Sequence, residues 1–126
     1  MNEPMNYSKF LQNIKTGATP GNENCPVASV LFMLQGKWKN HILFELCKND
    51  VLRFGEFKKA LPDISNTMLT STLRELEADG LVSRIQYNEI PPHVEYSVTE
   101  KGKDLMPIFN EMYIWGIKYN FGHSDR

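Results

Sequence analysis

Ser65, Asn66, Thr67, Thr70, Ser71 and Arg74 set short hydrogen-bonding side chains around one cation. On a helix at about 100° per residue, Thr67, Thr70, Ser71 and Arg74 fall on one side. Leu69, Leu73 and Leu76 fall on the other, with Met68 and Thr72 beside them. The polar face donates and accepts hydrogen bonds at close range. That chemistry suits the major groove of duplex DNA, where small side chains permit close approach and arginine forks onto guanine. The leucine face requires a core.

The helix carries its own boundaries. Ser65, or alternatively Asn66, can accept an orphan N–H at the N-terminus, and either can hold a phosphate there with help from the helix dipole. Gly80 can take the left-handed position after the last turn. Two alternating runs follow, 82–87 and 94–98, around Pro91-Pro92, and they predict a hairpin. Arg84 in its first strand and His93 at its tip are candidates for the adjacent minor groove or its phosphates. Lys58 and Lys59, on a short helix just upstream, are candidates for the phosphate backbone. A polar-faced helix followed by a hairpin is the layout of a winged helix-turn-helix. The fold class expected is therefore mainly α with a small β-hairpin wing (α+β), and dimeric.

Other chemistries find little support. The net charge of −1 gives no global attraction to nucleic acid, so local placement of cations must decide. Cys25 and Cys47 form no C-x-x-C pair, and His41, His93 and His123 have no ligand spacing, so no metal or cofactor is expected. No paired acid and base or phosphate loop marks an enzyme. No apolar run approaches the roughly 20 residues of a membrane span, and the opening MNEPMNYSKF has no signal-peptide core, which points to the cytoplasm.

The elements that must position the polar face come next. Residues 6–15 read as a short helix, followed by the loop TGATPGNEN. Residues 26–34 form an apolar helix opened by Pro26, residues 38–48 a second, and Phe54–Leu61 a third with Phe54, Phe57 and Leu61 inward. A final helix, capped by Thr99, begins at Glu100. Leu105, Ile108, Phe109, Met112, Trp115 and Tyr119 make one broad stripe along it. The stripe either packs on its own domain or forms a dimer interface; its extent favours a two-fold partner. The division expected is 1–24 as an arm and loop, 25–99 as the DNA-binding domain and 100–126 as the dimerisation helix. Cys25 precedes Pro26 at a helix start, where the dipole stabilises thiolate. It is either a reactive thiol or a small capping residue. Cys47, within HILFELC, reads as inert packing.

CPVASVLFMLQGKWKNHILFEL resembles the opening of the HxlR-type regulators, with their Cys-Pro, Gly-Lys-Trp and Ile-Leu pattern. RFGEFKKALPDISNTMLTSTLRELEADGLVSR is similar to that family's helix-turn-helix, and YNEIPPHVEYSVTEKG to its wing. The resemblance runs from about Cys25 to Trp115. It implies a dimeric bacterial transcription factor related to the MarR-type regulators, binding double-stranded DNA through residues 65–79 and 82–98. Some members sense oxidants or electrophiles through an N-terminal cysteine, whose counterpart is Cys25. The inducer is not named by the residues. Two alternatives stand beside a DNA-binding redox regulator: a winged helix used only for protein contacts, and a regulator controlled by a non-covalent small ligand.

Overall fold

Pro26, which lacks an N–H, opens one helix, and Gly36, at φ +117°, lies just beyond its end. In the computed structural model, which describes residues 7–16 and 26–122, the chain divides into two compact units, 1–36 and 37–126. The first holds α1 (Tyr7–Thr16) and α2 (Pro26–Met33). No residue of α2 is buried, and Val27, Leu31 and Phe32 stand exposed.

The second unit contains α3 (Lys39–Lys48), β1 (Leu52–Arg53), α4 (Phe54–Ala60), α5 (Asn66–Ala78), β2 (Val82–Tyr87), β3 (His93–Val98), α6 (Glu100–Lys103) and α7 (Met106–Lys118). Its core is apolar: Ile42 and Leu43 of α3, Phe57 of α4, Ile64, and Leu69, Leu73 and Leu76 of α5 are all at most 2 % exposed. Each such side chain contributes about 1.5–3 kcal/mol by leaving water. The leucine face of α5 is thus buried as its period predicted. Met68 is the exception, lying exposed on the polar side.

The three strands form one antiparallel sheet in the order β1-β3-β2. The hairpin pairs Val82 with Val98 through Tyr87 with His93. β1, which no expectation from the sequence covered, adds Leu52 and Arg53 opposite Tyr96 and Glu95.

The helix expected to run on from Glu100 is broken. Pro107 has no N–H to give the carbonyl of Lys103, and its ring crowds that carbonyl. α6 therefore ends at Lys103, and α7 restarts at Met106 with Pro107 in its first turn, where proline is tolerated. The apolar stripe is divided by this packing. Leu105 and Phe109 are buried in the unit's own core, Phe109 edge-on to Phe44 with ring centres 5.1 Å apart. Ile108, Met112, Trp115 and Tyr119 remain exposed, joined by Tyr113, Ile114, Ile117 and Phe121.

Candidate nucleic-acid interface

α4, the turn 61–65 and α5 form the helix-turn-helix, and each joint is made by identifiable bonds. Ser65 Oγ accepts the Met68 N–H at 3.0 Å, so Ser65 rather than Asn66 is the cap. At the other end the Leu81 N–H reaches the Leu76 carbonyl at 2.9 Å and the Gly80 N–H that of Glu77 at 3.0 Å, with Gly80 at φ +80°. This is a Schellman stop, and the burial of Leu76 and Leu81 completes it. Thr99 then fastens the wing to this end. Its hydroxyl donates to the Gly80 carbonyl at 2.6 Å and accepts the Gly102 N–H at 3.1 Å, capping α6 as expected.

The free face of α5 presents Asn66, Thr67, Ser71 and Arg74 exposed, with Thr70 half-buried behind them. Together these five line a shallow hollow of about 340 Å3. Ser71 Oγ donates back to the Met68 carbonyl at 3.1 Å, which fixes its rotamer and leaves its lone pairs outward. Among the described residues no hydrogen bond or ion pair occupies the Arg74 guanidinium.

The flanking candidates separate. Lys59 is exposed on α4, but Lys58 is half-buried and donates to the Ile64 carbonyl, tying the turn between the two helices. Its ammonium is thus a brace within the motif. Arg84 stands exposed in β2, bonded only at 3.5 Å to Gln86 Oε1. His93 is not at the hairpin tip. It begins β3, stacked on Tyr87 at 4.7 Å, with Nδ1 3.3 Å from Glu89 and Nε2 3.1 Å from Glu95. Both ring nitrogens are engaged, so the residue holds the wing together instead of reaching out from it. Arg53 of β1 reaches the same Glu95 at 4.0 Å. Tyr96 carries no signal in the sequence. It packs edge-on against Phe57, 5.9 Å between centres, beneath the wing.

Cys25 lies outside the described residues. Cys47 is exposed at the end of α3, its sulfur against Met106 Sδ, and not the packed core residue expected. Partial burial of that sulfur pushes its thiol above the ordinary range, which disfavours thiolate.

Residues 33–123 match the family model for the HxlR-like helix-turn-helix. The HTH-type transcriptional regulator YybR of Bacillus subtilis is 48% identical over 102 residues, 81% of each chain. The structure is similar to that of the redox regulator HypR in its oxidized form, with TM-score 0.67 and 46% identity over 75% of this chain and 96% of that one. It is similar as well to the reduced form of the transcriptional regulator YodB from B. subtilis, with TM-score 0.67 and 36% identity over 73% and 90%.

Proposed function

The chain belongs to the HxlR-like helix-turn-helix family and is a transcriptional regulator rather than an enzyme, and from that premise we propose that it acts as a homodimer on an inverted-repeat DNA operator. The observation that carries this reading is the free face of α5. Thr67, Thr70 and Ser71 meet base edges in the major groove, and the Ser65-capped helix start, with Asn66 beside it, faces a phosphate. Residues 25–99 bind, and the wing, braced by His93 and Arg53, lies along the neighbouring backbone through Arg84. Lys59 adds a backbone contact from α4.

The segment 100–126 supplies the dimer. Ile108, Met112, Trp115 and Tyr119 are about half exposed on one helix, an apolar surface that a soluble chain covers with a partner. A two-fold dimer would present two copies of α5 to half-sites about 34–36 Å apart. The arm 1–24 leads to Cys25, the thiol we assign to redox or electrophile sensing. Its support is its place before Pro26 at a helix start, together with the name of HypR as a redox regulator.

Selection of bound duplexes from a random pool, followed by footprinting, tests the reading. It should return an inverted repeat with two protected half-sites. Recovery of no sequence preference, or of a single unrepeated site, refutes it.

A further inference from the structure

Arg74 stands on the rim between two hollows. One is the free face of α5. The other is a cleft of about 340 Å3 running from α5 to the wing, lined by Phe54, Thr70, Leu73, Arg74, Glu77, Arg84 and Tyr96. Two guanidiniums from different elements enter it. Arg84 is placed there by register: it sits directly opposite Tyr96 in the β2–β3 ladder, so the two share a sheet face, and Phe57 fixes the Tyr96 ring. No carboxylate neutralises either arginine in the described structure. Arg74 has no polar partner there, and Arg84 has only the long bond to the neutral Gln86 amide.

We propose that this cleft seats one phosphodiester of the DNA backbone, gripped jointly by Arg74 and Arg84, with the Tyr96 and Thr70 hydroxyls as neutral donors. The proposal rests on the reading that the chain binds duplex DNA, and it moves Arg74 from a base edge to the backbone. Charge selects the ligand. Two guanidiniums face one carboxylate, Glu77, so a singly charged diester leaves the cleft neutral. A doubly charged free phosphate or monoester adds an excess negative charge beside Glu77. Forked guanidiniums match the two non-bridging oxygens of a diester. One phosphate bound by both elements fixes the angle between the reading helix and the wing, which neither element sets alone.

The test uses the full chain and its selected duplex, with one methylphosphonate per half-site placed at each position in turn. At one position the neutral linkage should weaken the wild type on the order of tenfold. On that duplex Arg74→Ala and Arg84→Ala should lose nothing further. On unmodified DNA each variant should lose a similar factor, and the double variant little more, with the salt slope reduced by about one in all three. Losses that multiply, slopes that fall by two, or relaxed base preference in Arg74→Ala overturn the shared seat. Inorganic phosphate, titrated against the arginine Nε–H resonances, should give no saturable shift at millimolar concentration. A saturable shift that competes with DNA overturns the diester selectivity. If the wild type binds no duplex, the DNA reading itself has failed, a result separable from every other.

Discussion

Two helical glycines predict stability changes of opposite sign. Gly102, in α6, is buried under the wing. A Cβ there would lie 2.5 Å from the Leu81 carbonyl oxygen and 2.6 Å from Val98 Cγ1. Neither neighbour yields easily. Leu81 is 1 % exposed, and its carbonyl is held by the Thr99 N–H at 3.0 Å. Val98 is the first rung of the β2–β3 ladder. Ordinary contact requires close to an ångström of displacement, and overpacking of this kind costs about 1–3 kcal/mol. Replacing glycine within a helix returns at most about 1 kcal/mol, and less in so short a helix as α6. The clash wins, so Gly102→Ala should lose about 2 kcal/mol, or roughly 10 °C in melting temperature for a domain of this size. Gly55, in α4, has nothing within 4 Å of its Cβ position. Gly55→Ala should therefore gain about 0.5 kcal/mol by narrowing the unfolded ensemble. Urea unfolding at matched protein concentration measures both, the matching being needed because association adds to apparent stability. A Gly102→Ala variant as stable as the wild type would refute the packing argument, and a Gly55→Ala loss would refute the control.

Other outcomes follow from the same structure. Ser65→Ala removes the acceptor for the Met68 N–H and should cost about 1 kcal/mol of stability by thermal melt, with a further loss of DNA affinity if the helix start holds a phosphate. Trp115→Asp sets a charge in the exposed α7 surface; sedimentation at micromolar concentration should shift from dimer towards monomer, with thermal stability of the monomer nearly unchanged because the side chain is 58 % exposed. At neutral pH Cys25 should alkylate faster than Cys47, whose raised pKa lowers its thiolate fraction, and the Cys47 rate should still be climbing when pH has passed the ordinary thiol range. Oxidation should change DNA affinity in Cys47→Ser but not in Cys25→Ser; equal behaviour of the two variants would end the sensor assignment.

Features fixed by a few neighbouring residues were legible in the chain. Ser65, Gly80 and Thr99 sit where a cap must, because the orphan groups they satisfy lie within three or four residues. The leucine face of α5 and the two runs of the hairpin follow from period alone. The rest required the third dimension. β1 is two residues long and exists only through pairing with Tyr96 and Glu95, so no alternation announces it. The break before α7 was masked because Leu105, Ile108 and Phe109 keep helical spacing across it, although Pro107 was the available signal. Lys58 and His93 looked like outward polar groups; their partners are a carbonyl six residues on and carboxylates on either side of a turn. The convergence of Arg74 and Arg84 depends on the angle between helix and wing, which no local spacing encodes.

The net charge of −1 and the proposed DNA-reading face are compatible because the structure sorts its acids by location. Glu75 of α5 and Asp79, which caps its end, lie one turn apart, adjacent in sequence to the polar face, yet both turn towards α3. Lys39 meets them there, at 3.7 and 3.2 Å. Glu89 and Glu95 in the wing are taken up by His93, beside the hairpin turn, and by Arg53 of β1. These pairs are partly buried but still reach water, so they add only modestly to stability. Their consequence is the field they leave behind, because a paired acid repels a neighbouring phosphate far less than a free one. What remains turned outward along α4, α5 and the wing is Lys59, Arg74 and Arg84, against Glu77 in the cleft and Asp63 in the turn before α5. Phosphate attraction decays over a Debye length of about 8 Å at physiological salt. At that range a duplex held as proposed would respond to this local surplus, while more distant acids lower the total without weakening the contact.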